Sequence, residues 1–184
     1  MLSKAIIFFS LYFVFTNSIA AEKSKIINKL NSIDNIQFNF TQNTNGKIEK
    51  GKCILVFPSK LKCNYEDKNE KELIVNKKMM AVTQKRYGKT LFYPLSKSTF
   101  INILSKDELI KIINESDTFI DDYFNIVFMN EVNSKTLIRF DKENFLLAGW
   151  ISSDQYNNQV TFDIEINSIN QMIDNKIFNL PSRN

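Results

Sequence analysis

The stretch Gly51–Tyr65, GKCILVFPSKLKCNY, leaves this chain few folds to choose from. It predicts two strands joined by a tight turn at Pro58-Ser59-Lys60. In the second arm Leu61, Cys63 and Tyr65 alternate with Lys62 and Asn64, the period of a strand with one apolar and one wet face. The first arm, Cys53 to Phe57, is apolar on both faces, as a strand covered on both sides would be. Pro58 has no N–H for a ladder bond and belongs in the turn. The remainder reads as more of the same curved sheet, with two or three helices to cover it.

The period supports that extension along the chain. Ile36, Phe38 and Phe40 share one face against Gln37, Asn39 and Thr41, and Asn43 to Gly46 is a turn. After a polar loop at Glu66–Lys71, Leu73–Val75 and Met79–Thr83 are strands around a turn at Asn76–Lys78. Leu91–Tyr93 is extended because Pro94 follows it. The period becomes helical at Glu22–Leu30, and again from Ser98 to Ile113, with a break at Ser105 and Asp107 as the cap of the second piece. From Tyr123 the sheet resumes with Phe124, Ile126 and Phe128, then Lys135–Asp141, Phe145–Ser153 and Gln159–Ile166. Val160, Phe162, Ile164 and Ile166 face one way in the last of these. Consecutive strands with short polar turns imply an antiparallel meander. The tail ends in an apolar hook at Ile177, Phe178 and Leu180.

The first twenty residues read as a secretory signal peptide rather than fold. Lys4 precedes the apolar run Ala5–Phe15, and Ser18 and Ala20 stand at cleavage-site spacing, with Ala21 the alternative end. An N-terminal membrane anchor is the competing reading. No cysteine follows the cut, and no later stretch has the roughly 20 apolar residues of a spanning helix. Residues 21–184 then form a single domain whose net charge, +4 less Lys4, does not argue for nucleic acid. The chain has no histidine, which removes Ser-His-Asp and Cys-His nucleophile systems and most zinc and iron sites. Its four glycines form no phosphate-binding loop. The expectation is a binding protein, not an enzyme, with no cofactor or metal.

Several strings, in order, resemble the periplasmic outer-membrane lipoprotein carrier (LolA-type) family. They are Phe38-Asn-Phe-Thr-Gln42; the glycine, apolar strand, proline turn and aromatic-ended strand of Gly51–Pro58 and Leu61–Tyr65; Leu73–Val75; Pro94-Leu-Ser96 before an apolar helix; and Phe178 ahead of Pro181. The resemblance implies an α+β fold, an unclosed antiparallel β-barrel (half-barrel) with short α-helices covering its mouth. It also implies a soluble, monomeric periplasmic carrier that shields lipoprotein acyl chains in an apolar cavity and moves them from inner to outer membrane. Its partners would be acylated lipoproteins, an inner-membrane lipoprotein-releasing ABC transporter complex and an outer-membrane acceptor lipoprotein. The wall would be Phe38, Phe40, Leu55, Phe57, Leu61, Tyr65, Phe162 and Ile164, and the lid Phe100, Ile103 and Leu104. Periodicity alone favours an ordinary helix-on-sheet core, since alternation reports burial and not a cavity, and only the resemblance turns the reading to a cavity. A half-barrel for another lipid or glycolipid, or a periplasmic peptide- or protein-binding sensor domain, are the alternatives.

The chain departs from the family pattern in two places. The family's arginine before the turn proline, which holds the lid shut, is Phe57 here. Phenylalanine has no donors, so it holds the lid by apolar contact or leaves it looser, unless Lys60 or Lys62 reaches inward. A three- or five-residue turn also sets Cys53 directly opposite Cys63, either as a disulfide, which an oxidising compartment permits, or as two small apolar wall residues. Finally, from Leu73 to Lys106 there are seven basic residues and no acid, read either as a steering patch or as solvated turns.

Overall fold

The structure, a computed structural model, describes residues 12–97, 101–129, 135–153 and 158–182, with the backbone alone at 12–18 and 97. Six strands step outward by hairpins: β1 (Asn35–Thr44), β2 (Lys47–Val56), β3 (Lys60–Tyr65), β4 (Lys71–Asn76), β5 (Met79–Gln84) and β6 (Lys89–Pro94). The chain then crosses to the far edge. From there β7 (Asp117–Ile120), β8 (Phe124–Met129), β9 (Lys135–Phe140), β10 (Leu147–Ser153) and β11 (Gln159–Ile169) step back toward β1. The order is β6-β5-β4-β3-β2-β1-β11-β10-β9-β8-β7, antiparallel at each pairing, with β6 and β7 as the two edges of an unclosed sheet.

Turn chemistry sets the register. Asn45 and Gly46, both at positive φ (49° and 85°), make the two-residue loop that suits a twisted hairpin between β1 and β2. The β2–β3 turn is Phe57, cis-Pro58 and Ser59, one residue earlier than the sequence suggested, and Val56 pairs with Lys60 across it. Rows of inward residues then line up from strand to strand. Ile36, Leu55, Leu61 and Val75 form one row, and Phe38, Cys53, Cys63 and Leu73 form the next. The inward residues of β2 are buried, but Ile54 and Val56 on its outer face are only partly covered. The tail's 3₁₀ turn Asn175–Phe178 packs chiefly on the neighbouring strands β3 and β4. Phe178 is fully buried there, and its carbonyl accepts a bond from the Asn76 side chain.

The crossover from β6 to β7 runs through two 3₁₀ turns, Leu95–Lys97 and Ile101–Leu104, and helix α2 (Lys106–Glu115). Ser105, not Asp107, caps α2: its side chain accepts from the Glu108 N–H, and Asp107 sits in the first turn, where its charge suits the helix dipole. The N-terminal helix α1 (Tyr12–Asn31) packs on α2. It begins well before Glu22, inside the expected leader, of which residues 1–11 lie outside the described set. Lys23 reaches from α1 to the carbonyls of Ser116 and Asn114, placing a cation on the C-terminal end of α2. Strand β7 went unseen in the sequence because its four residues, DTFI, are too few to show a period. No described helix is long and apolar enough to cross a membrane.

Two apolar clusters fill the concave side. One gathers β1 to β4 and β11 under Leu95 and Leu104, and the other packs α1 and α2 onto β8, β9 and β10 through Ile26, Leu30, Leu109, Ile113, Phe124, Ile126 and Ile138. The helices therefore seal one half of the sheet and leave the other half as the wall of a cavity.

Candidate functional site: an apolar cavity under a helical cover

Between the sheet and the cover lies a cavity of about 200 Å³. Its wall is Phe38 of β1, Leu55 of β2, Leu61, Cys63 and Tyr65 of β3, Leu73 of β4, Trp150 of β10, and Val160, Phe162 and Ile164 of β11. Ile103 and Leu104 close it from the crossover. Of the eleven residues expected at the site, the structure gathers Phe38, Leu55, Leu61, Tyr65, Ile103, Leu104, Phe162 and Ile164 around this one space. Phe100 lies outside the described residues.

Two expected wall residues sit elsewhere. Phe40 is buried behind the lining, with Phe162 stacked on it at 4.9 Å and Tyr65 edge-on at 4.9 Å. Phe57 lies past the end of β2 and lines a separate void of about 20 Å³ with Leu30, Ile36 and Leu109, touching both apolar clusters. Its place beyond the last ladder pair carries it from the sheet toward the helices.

Trp150 is the main residue that sequence reasoning missed. It stacks on Phe162 at 4.2 Å, which completes a row of rings, Tyr65–Phe40–Phe162–Trp150, running from β3 to β10. Gly51 makes the row possible. It stands between Phe40 and Tyr65 in the ladder, and a Cβ there would lie 2.2 Å from the Asn64 carbonyl oxygen and 2.7 Å from the Phe40 ring. Trp150 was hidden because a bulge between Leu147 and Gly149 breaks the alternation that would have placed it inward.

Cys53 and Cys63, directly opposite in the ladder, are joined as a disulfide, and Cys63 faces the cavity. The bridge and the wall position thus coexist.

The cover is tied to the hairpin by backbone. The Ser59 N–H donates to the Leu104 carbonyl at 2.8 Å. Ser59 is at positive φ (59°), which turns this N–H out of the hairpin toward the crossover. Lys106 lies 5.6 Å above the Phe57 ring and 3.4 Å from Asp34. Lys60 and Lys62 do not reach inward: Lys60 bonds Asn175 in the tail, and Lys62 pairs with Glu72 on the outer face. The basic run is divided as well, with Lys77 and Lys78 in the turn before β5 and Lys85, Arg86 and Lys89 around the turn after it. A six-residue strand of roughly 20 Å separates the two groups, so they form no single patch.

Polarity rises toward the end of the cavity away from the cover. Gln42, Tyr65 and Ser152 are the polar residues of the lining. Beside them Glu49 accepts from Lys71 at 2.6 Å and pairs with Lys47 at 3.4 Å. Burial opposes ionisation of Glu49, but the two ammonium groups outweigh it and hold its carboxyl below the usual range. Lys71 also lies 3.6 Å over the Tyr65 ring. Burial, then the charges of Glu49 and Asp67, push the Tyr65 phenol far above its ordinary value, so it stays protonated.

The family model for outer membrane lipoprotein carrier protein LolA matches residues 31–181. Among curated proteins, none matches the chain by sequence. Three solved structures are among those that the chain is similar to. A LolA superfamily protein from Nitrosomonas europaea is 11% identical, with 86% of this chain and 98% of that one covered and a TM-score of 0.46. The lipoprotein LppX of Mycobacterium tuberculosis is 10% identical, with 86% and 98% covered and a TM-score of 0.45. The MucA/MucB complex of Pseudomonas aeruginosa is 9% identical, with 89% and 61% covered and a TM-score of 0.46.

Proposed function

We propose, from the premise that this chain belongs to the outer membrane lipoprotein carrier protein LolA family, that it is a periplasmic carrier of lipoprotein acyl chains. The observation that supports this reading best is the apolar cavity beneath a separately tied cover. An acyl chain left in water costs about 0.8 kcal/mol per CH₂, so a multiply acylated lipoprotein needs a shield worth tens of kcal/mol. An open sheet with that much apolar surface would be a permanently exposed patch. A cover that opens only when the ligand arrives removes the conflict. Pockets that hold drug-sized ligands are roughly 300–1,000 Å³. The cavity here, at about 200 Å³, is smaller, so loading requires the cover to move.

The protein works without a catalytic step of its own, as a monomer. It takes cargo from an inner-membrane releasing ABC transporter complex and hands it to an acceptor lipoprotein at the outer membrane. Native mass spectrometry of protein purified from a periplasmic extract, with lipid extraction, tests the reading. A bound acylated lipoprotein is the expected result. A bound phospholipid or glycolipid transfers the cavity to another lipid. A bare protein that also refuses an acylated peptide returns the rings to ordinary core, and leaves a peptide- or protein-sensing role.

A further inference from the structure

We infer that the end of the cavity at Gln42, Tyr65 and Ser152 is a polar subsite that binds the carbonyl oxygens at the root of the acyl chains, and so fixes which way the lipid lies. The inference rests on the carrier reading above and adds an orientation and a chemical class to it.

The register gathers the polar residues at one end. The rows nearest the cover, Ile36–Leu55–Leu61–Val75 and Phe38–Cys53–Cys63–Leu73, contain no charged or amide side chain. Further along β1, Gln42 is opposite Glu49 on one side and Phe162 on the other. One step beyond, Ser152 is opposite Val160, which itself is opposite Thr44. The concave surface thus changes from hydrocarbon to hydrogen-bonding within a few residues of strand.

Each of these groups carries a hydrogen-bond donor. The Tyr65 hydroxyl reaches Gln42 Oε1 only at 3.5 Å, well beyond the roughly 2.7–2.8 Å of a good O–H···O bond, so its proton is poorly used. The Ser152 hydroxyl and the Gln42 amide add further donors, the amide now bonded to Thr44 at 3.2 Å. Of the two carboxylates that act on Tyr65, Glu49 is already taken up by Lys71 and Lys47, and Asp67 accepts from the Asn69 and Lys71 backbone N–H groups. The donors at this end, the two hydroxyls and the Gln42 amide, can serve a ligand group that only accepts. Ester and amide carbonyls, which join acyl chains to their stem, are such groups. A wall meant for hydrocarbon alone would do better with leucine at these positions, because taking a polar group out of water is costlier than taking out an apolar one. The chain ends would then point toward Ile103 and Leu104, and the polar stem would leave past Gln42 and Lys71.

Diacylglyceryl-cysteine and phospholipids share these ester carbonyls, so the test uses both sources. Binding of three probes to the full chain would be measured by calorimetry: a synthetic dipalmitoylglyceryl-cysteine peptide, its dialkyl ether analogue with the same chain lengths, and dipalmitoyl phosphatidylglycerol. Ether oxygens are weak acceptors, so the wild type is expected to favour ester over ether peptide by about fivefold or more, the worth of one or two hydrogen bonds. In Tyr65→Phe, and separately in Ser152→Ala, that ratio is expected to fall toward one. Far-UV circular dichroism establishes that each variant is folded. Equal binding of ester and ether peptide by the wild type, or a ratio unmoved in both variants, overturns the subsite while leaving the carrier reading standing. Binding of phosphatidylglycerol but not of the peptide, weakened in Tyr65→Phe and in Ser152→Ala, keeps the subsite and replaces the lipoprotein as cargo. Failure of every probe to bind overturns both.

Discussion

At the scale of single residues, Gly51 and Glu72 do what no neighbour could. Gly51 is held not by its backbone angle but by the space its missing Cβ leaves to the Asn64 carbonyl and the Phe40 ring. Gly51→Ala is expected to destabilise the protein by about 1–3 kcal/mol, since the closest obstacle is backbone and cannot swing aside. Urea denaturation gives the loss, and near-UV circular dichroism shows whether the ring row has shifted. Glu72, buried on the outer face of β4, accepts from Lys85 at 2.9 Å and Lys62 at 3.0 Å. Burial disfavours its charge, but the two lysines prevail and keep its carboxyl below the ordinary glutamate range. A lowered carboxylate contributes stability above its unfolded value and loses it as pH falls through the folded one. Glu72→Gln should therefore be less stable than wild type at neutral pH, with the difference shrinking as the pH falls below the ordinary glutamate range. Parallel stability curves for the two proteins through that acid range would contradict the assignment.

At the scale of elements, the hairpin of β2 and β3 is where structure and function meet. Its two arms are stapled by Cys53–Cys63, ten residues apart, and its turn holds the cover through Ser59. Closing so short a loop in the unfolded chain is worth about 2–3 kcal/mol, so Cys53→Ala with Cys63→Ala should lower the unfolding free energy by that much in non-reducing urea titrations. The cover itself is testable at one amide. In hydrogen exchange the Ser59 N–H is expected to be protected in the empty protein and to exchange faster once an acylated peptide is bound, as its bond to Leu104 opens. Equal protection in both states would mean that the cover loads without leaving the hairpin. The hairpin, the β1 face and the β11 face were legible from sequence because each alternates cleanly, as at Phe38–Phe40 and Val160–Ile166. The cysteine register was legible because both plausible turns gave the same pairing. Trp150 and β7 were not, one displaced by a bulge and the other too short. The division of labour between Phe40, hidden behind the rings, and Phe38, facing the cavity, was also out of reach. Both point inward, but the Phe40 ring is taken up by the space over Gly51 and by Tyr65 and Phe162, which leaves Phe38 to face the cavity.

At the scale of the whole molecule, the crossover from β6 to β7 joins the two edges of the sheet and supplies the cover on the way. The segment that connects the two edges is thus also the one that shields the interior, and its bond to the hairpin lies outside the ladder. Only the contacts of Ile103, Leu104 and the Ser59 bond must yield, while α2 can stay on α1 and β8. The topology has a second result, in time rather than space. The seam at the centre of the sheet pairs β1 with β11, so Ile36 meets Ile169 and Phe38 meets Ile166. Contacts so distant along the chain are slow to form. A chain that emerges from its N-terminus can fold β1 to β6 hairpin by hairpin, yet the inner face of β1 waits for nearly the last strand to be delivered. Until then the residues that later line the cavity stand open to every other apolar segment they meet. A chain built this way is itself, until its last strand arrives, in need of the shelter its fold will provide.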